Sequence, residues 1–217
     1  MKKTSAIALI SLISFNSHSF EDFVQDIDAN ETIISSGLSF RSQDTTFTGP
    51  GGSLKENSDM DNVSFTLVHS LEIESESLVG FGVEIDEASS EGESEQTITI
   101  GAHYTNVETS SSDAYSLQAN YLMGDTDGYD EASFSFSKQL KSDTNLQLDG
   151  EIIAGYTLPI SPDEFSGGNN LTLALAGRLK VSDKVRVLGG AALVSVSDIE
   201  YDNGVTASFD PSVSLFI

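Results

Sequence analysis

From Thr32 onward the chain alternates apolar and polar residues with period two, the pattern of strands that present one apolar face. Val63, Phe65, Leu67, His69, Leu71 and Ile73 alternate with Ser64, Thr66, Val68, Ser70 and Glu72. Ile98, Ile100, Ala102 and Tyr104 alternate with Thr97, Thr99, Gly101 and His103. About ten such runs follow one another, from Ile34–Phe40 to a last one in which Val205, Ala207, Phe209, Val213, Leu215 and Ile217 share a face. In the ninth run, marked by Val185, Val187, Ala191 and Leu193, the intervening positions are apolar as well.

The connections alternate too. Short ones at 74–77, 108–112, 141–143 and 182–184 separate longer ones at 42–61, 86–95, 124–130, 159–169 and 198–204. Tight turns at one end and long loops at the other are the arrangement of a membrane barrel, with both termini on the periplasmic side. Lipid demands a closed sheet, because an open edge leaves backbone groups unsatisfied in hydrocarbon. Phe40, Tyr104, Tyr115, Tyr121 and Tyr156 sit near strand ends, where interfacial girdles place aromatics. The pattern predicts an all-β fold: a closed antiparallel transmembrane β-barrel of about ten strands, with eight as the alternative.

The N-terminus reads differently. Lys2 and Lys3 precede an apolar run from Ala6 to Phe15, and small residues at Ser17 and Ser19 suit signal-peptidase cleavage. We read 1–19 as a signal peptide, 20–31 as a periplasmic N-terminal segment and 32–217 as the barrel. In the middle segment Phe20, Phe23, Val24 and Ile27 form a helical stripe against Glu21, Asp22, Asp26 and Asp28. It is expected either to cap the periplasmic mouth or to form a flexible leader.

A cleaved signal, eight to ten amphipathic strands and the ending Val213-Ser214-Leu215-Phe216-Ile217 together resemble the small, porin-like outer-membrane β-barrel proteins of Gram-negative bacteria. The resemblance implies an outer-membrane location, with lipid and lipopolysaccharide as surroundings. It also implies the barrel assembly machinery as a partner, which would read Phe216 and Ile217 as an assembly signal. Here Phe216 is penultimate, where the family commonly ends on an aromatic. The resemblance implies no particular activity.

At 217 residues the chain suits one domain, and its formal charge of -24 and pI near 4.1 exclude nucleic acid as a partner. There is no Cys, hence no disulfide, thiolate metal site or lipid-modified N-terminal Cys. Most of the acidity falls on the longer connections. The predicted walls carry Arg41, Glu72, Glu84, Asp149, Glu151, Arg178, Lys180, Arg186 and Asp210, expected to pair as a charge network in the lumen. Lys138 falls on the apolar face near a strand end, where it should snorkel.

Candidate chemistry is sparse. Omptin-type barrel proteases use a His at the outer rim, whereas His69 and His103 both fall in the periplasmic halves of their strands. Serines abound without a nucleophile elbow, and no zinc, phosphate-loop or nucleotide motif occurs. No catalytic residue is assigned and no cofactor is required. Asp125, Asp127, Asp130 and Glu131 surround Gly128 and offer oxygen ligands for Ca²⁺ or Mg²⁺ at the outer loops. The expected function is a non-enzymatic outer-membrane barrel serving envelope structure or surface interaction through acidic loops. The alternative is a narrow channel for a small cationic solute, drawn by the loop charge; a secreted soluble β-protein is a third reading.

Overall fold

The computed structural model describes residues 32–74, 77–90, 93–106, 115–124, 130–140, 148–160, 165–182 and 185–217. The segments 1–19 and 20–31 lie outside the described residues, as do Asp125 and Asp127. The strands are β1 Thr32–Gly49, β2 Gly52–Glu74, β3 Ser77–Ser90, β4 Glu93–Asn106, β5 Tyr115–Gly124, β6 Asp130–Leu140 and β7 Leu148–Ile160. They continue as β8 Phe165–Gly167, β9 Asn170–Lys180, β10 Arg186–Val196, β11 Ile199–Tyr201, β12 Thr206–Phe209 and β13 Ser212–Phe216.

Ten of these close into an antiparallel ring in the order β1-β2-β3-β4-β5-β6-β7-β9-β10-β13. The seam pairs Ser39 with Phe216, Phe40 with Leu215 and Arg41 with Ser214. Leu38 and Ile217 exchange backbone hydrogen bonds of 2.8 and 3.0 Å beside them. The ring satisfies the demand for a sheet without open sides. Alternation works as expected in β2: Ser64, Thr66, Val68 and Ser70 are buried inside, while Val63, Phe65, Leu67, Leu71 and Ile73 face out. Outward Phe81, Ile85, Ile98, Ile100, Leu117, Phe134, Phe136, Ile152, Leu173 and Leu193 continue that apolar belt on neighbouring strands.

The expected long connections are largely strand. β1 and β2 stay paired, from Thr32 opposite His69 to Gly49 opposite Gly52, so the 42–61 connection is a hairpin closed by a turn at Pro50–Gly51. β3 likewise runs to Ser90 and β4 begins at Glu93. The 159–169 and 198–204 connections contain β8 and β11. Period-two hydrophobicity reveals a strand only where one face is apolar. These extensions are polar on the outer face, and backbone pairing continues without that signal.

Three neighbouring strands are interrupted as they extend past the belt. β8 and β9 are separated by Gly168–Asn169, β10 and β11 by Ser197–Asp198, and β12 and β13 by Asp210–Pro211. Along β1, Arg41 to Thr45 spans four steps while the partners Ser214 to Phe209 span five, so the last strand carries one extra residue. A one-residue slip reverses every side chain beyond it. Ala207 is therefore fully buried although Val213, an even number of residues away, is 57% exposed. The sequence pattern had placed both on one face. The Asp198 break acts the same way, turning Ile199 inward like Val194 and Val196.

Two outcomes test these faces. Leu67→Arg should destabilise the barrel by ~2–4 kcal/mol in a reversible folding titration if it lies near the bilayer midplane. The chain lacks Cys, so single cysteines report cleanly: Ser208→Cys should react with a membrane-impermeant maleimide, while Ala207→Cys and Ser214→Cys stay protected. Labelling at 207 in place of 208 would reject the reversal.

Candidate functional site

The ring encloses an interior with two unlike walls. β9, β10 and β13 contribute Ala174, Ala176, Ala192, Val194 and Phe216, joined by Ile153 from β7 and Leu122 from β5. Toward the end where β1 turns into β2 at Pro50–Gly51, Ile199 and Ala207 extend this wall, with Phe47, Phe165, Tyr201 and Phe209 packed against it. Phe216 fits because Gly190 faces it: a Cβ there would lie 2.6 Å from the Phe216 ring. The signal for this wall was the ninth run, apolar on both faces.

The facing wall, mainly β1 to β6, is polar and buried. Arg41 and Gln43 come from β1 and span the break in the last strand. The Arg41 Nε–H donates to Ser212 Oγ at 2.6 Å, and its Nη2 hydrogen-bonds the Gln43 side chain. Gln43 Nε2 donates to the Asp210 carbonyl at 2.7 Å and to the Asp44 carbonyl at 2.9 Å. Pro211 has no N–H to give the ladder, and these side chains supply the bonding that the interruption removes.

Further along, Arg178 Nη2 and Glu151 Oε2 form an ion pair at 2.9 Å, with side chains 6% and 2% exposed. β3 presents Glu84 and Asp86 two residues apart, both buried and in the same interior parity. Thr66 Oγ1 donates to Glu84 at 2.9 Å and Asn62 Nδ2 to Asp86 Oδ1 at 3.1 Å. On β5 and β6, Gln118, Asn120 and Ser133 form a short chain of hydrogen bonds, and Ser116 pairs with Ser137 at 2.6 Å.

The expected lumen charges thus divide. Arg41, Glu84, Glu151 and Arg178 are interior, and of these Glu151 and Arg178 meet directly. Glu72 is exposed at the end of β2, beside a register shift between Glu72 and Glu74. Asp210 is not in the interior: at the strand break it is exposed, 3.3 Å from Lys55. Lys55 also holds Asp44 at 2.8 Å on the β1–β2 hairpin. The Lys55 ammonium and then the Asn57 amide hold the Asp44 carboxyl below the usual carboxylate range, and the same contact with Asp44 raises Lys55. Asp149, Lys180 and Arg186 lie on strands, with Asp149 opposite Arg178 and Arg186 opposite Lys180. Their side chains lie outside the description.

Of the four expected cation ligands, the two described are adjacent on β6 and take opposite faces. Asp130 accepts from the Tyr121 hydroxyl outside, while Glu131 is buried inside. Among the described residues no cluster of three or more His, Asp or Glu forms a metal centre. Sequence reasoning passed over Asp86 and Glu131 as interior groups, assigning both to outer connections; both extend a strand in interior parity.

The histidines occupy separate faces. His69 Nδ1 meets Thr32 Oγ1 at 2.9 Å on the outside. His103 is interior, its Nε2 2.9 Å from Ser70 Oγ. Gly80 makes room for this pair, since a Cβ there would lie 2.2 Å from the imidazole and 2.6 Å from the hydroxyl. A Ser–His couple acts as a nucleophile only when a third group orients the imidazole. His103 Nδ1 has no hydrogen-bond partner among the described residues. The arrangement is a buried polar contact without the third member.

No family model matches the chain, and no curated protein matches it either. Solved structures do. An outer membrane channel from Pseudomonas putida F1 aligns with a TM-score of 0.58 at 10% identity, over 90% of this chain and 96% of that one. The transport unit of the autotransporter AIDA-I from Escherichia coli aligns at 0.40 and 11% identity, over 98% and 96%. The translocator domain of the autotransporter NalP from Neisseria meningitidis aligns at 0.38 and 10%, over 98% and 97%. The fold is that of the outer-membrane β-barrels, as the strand pattern and ending suggested.

Glu151→Ala should cost ~3–5 kcal/mol in a folding titration, because it removes the carboxylate 2.9 Å from the buried Arg178 guanidinium. Replacing both residues by Met should recover most of that loss. On the β1–β2 hairpin, the Asp44–Lys55 contact should persist at neutral pH and be lost as pH falls through the lowered Asp44 pKa. The Asp44 carboxyl carbon shift in NMR should titrate below the carboxylate range, and move back toward it in Lys55→Gln.

Proposed function

We propose that the protein resides in the bacterial outer membrane as a closed barrel that neither conducts nor catalyses, and that it serves envelope structure or surface contact through its outer hairpins. Its termini are periplasmic, which puts the Pro50–Gly51 turn outside. Lipid and lipopolysaccharide surround the apolar belt, and the barrel assembly machinery handles the strand ending in Phe216 and Ile217.

One observation carries this reading. Interior side chains on five strands, among them Gln43, Thr66, Glu84, His103 and Glu151, are all 3% exposed or less. An aqueous path would leave such groups wet, as porin channels do. The unoriented His103–Ser70 pair supports the absence of catalysis. The polar outer faces of the β1–β2 extension, with Asp44, Lys55, Asn57 and Asp210, offer a charged surface beyond the belt.

The experiment is planar-bilayer recording of the detergent-refolded barrel, with heat-modifiable gel mobility as proof of folding. Folded protein should insert silently. Ohmic single-channel steps would overturn the closed reading and favour passage of a small cationic solute.

A further inference from the structure

We propose that residues 24–29 add a strand to the wall, pairing between β1 and β10 beyond the end of β13, so that the acidic N-terminal segment completes the barrel.

The closure at Leu38–Ile217 stops short of the ends of both flanking strands. β13 bonds to β1 at Leu38, opposite Ile217, and to β10 at Gly190, opposite Phe216. β1 extends past this level from Gly37 to Thr32, and β10 from Leu188 to Arg186. Among the described residues, neither stretch has a partner on the side that β13 serves. Leu38 exchanges both its backbone bonds with Ile217, so by alternation Ser36, Ile34 and Thr32 turn their N–H and C=O groups to that same side. The side chains along this edge belong to the apolar belt: Ile34 is 64% exposed, Val185 52% and Val187 41%. Backbone groups open to an apolar layer are the liability that a closed sheet avoids.

The continuation of the chain selects the occupant. Glu31 joins Thr32 at the far end of the open edge, so the segment before it reaches that edge through one tight turn. β1 and β10 are both antiparallel to β13, and a strand returning from such a turn is antiparallel to both. With Asn30 and Glu31 as the turn, Ala29 faces Thr32, and each step back pairs one residue further along β1. Continuing the β13 register on both sides sets Val24 between Gly37 and Leu188, and Gln25 between Ser36 and Val187. Asp26 then lies between Ser35 and Arg186, and Ile27 between Ile34 and Val185.

The chemistry agrees with this register. Ile27 joins two outward aliphatic side chains, and Val24 joins Leu188, which packs against the apolar interior wall. Asp26 comes level with Arg186. Residues 20–31 carry Glu21, Asp22, Asp26, Asp28 and Glu31 without a base, while Lys180, Lys184 and Arg186 fall together in sequence around the turn into β10. A one-residue slip would turn Ile27 inward and set Asp26 and Asp28 against the belt. The pairing is independent of the closed-lumen reading: channel steps in a bilayer would reject that reading and leave this strand in place.

The chain has no Cys, so paired cysteines in the full chain report the register. Gln25→Cys with Val187→Cys, refolded in detergent and mildly oxidised, should form an intramolecular disulfide at least tenfold more than Gln25→Cys with Leu179→Cys. Leu179 stands opposite Val187 on β9, one strand further away on the same outward face. Peptide mass mapping identifies the link, and heat-modifiable mobility selects folded protein. A segment that caps the mouth as a helix, or stays a free leader, gives no preferred link to 187. Absence of the 25–187 link in folded protein, or equal linkage to 179, would therefore overturn the proposal. Stoichiometric disulfide dimers of Ser36→Cys would also overturn it, assigning the edge to a second copy. If the 25/187 pair does not fold, hydrogen exchange in the unmodified chain decides. Ser36 and Leu188 amides as slow as Leu38 sustain the added strand, and exchange at least tenfold faster rejects it.

Discussion

A backbone placed in hydrocarbon has nowhere to put an unpaired N–H or C=O, and every other feature of this chain follows from meeting that constraint. The ring meets it by giving each wall strand two neighbours. β1 carries most of the burden: it pairs with β2 along its whole length and with β13 and β12 in turn on its other side. Once the ladder is closed, side chains have only two destinations. The outer positions become apolar because their surroundings are, and the inner positions take on whatever packing the narrow interior allows.

That interior is where the chain departs from a uniform tube. The polar wall pairs many of its buried groups through short local sets: Arg41 with Gln43 and Ser212, Glu151 with Arg178, Gln118 with Asn120 and Ser133. The opposite wall avoids the difficulty with Ala174, Ala176, Ala192 and Val194, small enough to let the two sides meet. A wall of small apolar groups facing a wall of paired polar ones fills the lumen without stranding many charges.

Much of this was legible in residue order, and the misses have physical causes. The alternation of Val63 to Ile73 gave β2 its faces, because lipid on one side and protein on the other impose a period of two. The β1–β2 extension past the belt was read as a loop, because its outer face is polar and leaves no period to detect. Ala207 and Val213 were assigned one face, and Asp210 an interior position, since counting by twos assumes an unbroken strand; Pro211 was the available warning. The Glu151–Arg178 pair could be nominated from charge but not selected, because register across β7 and β9 decides which of the interior charges meet.

The reversal at Asp210–Pro211 and Ser197–Asp198 lets one continuous wall serve two solvents. Below it the chain is inside-out, with Val213, Leu215 and Leu193 outward; above it Ile199 and Ala207 turn in, as in a water-soluble protein. The breaks therefore act as a waterline. Shifting the barrel along its axis one way would wet the Leu and Phe belt, and the other way would drag the Asp44–Lys55–Asp210 cluster into an apolar layer, so the axial position of such a barrel is written into the backbone itself.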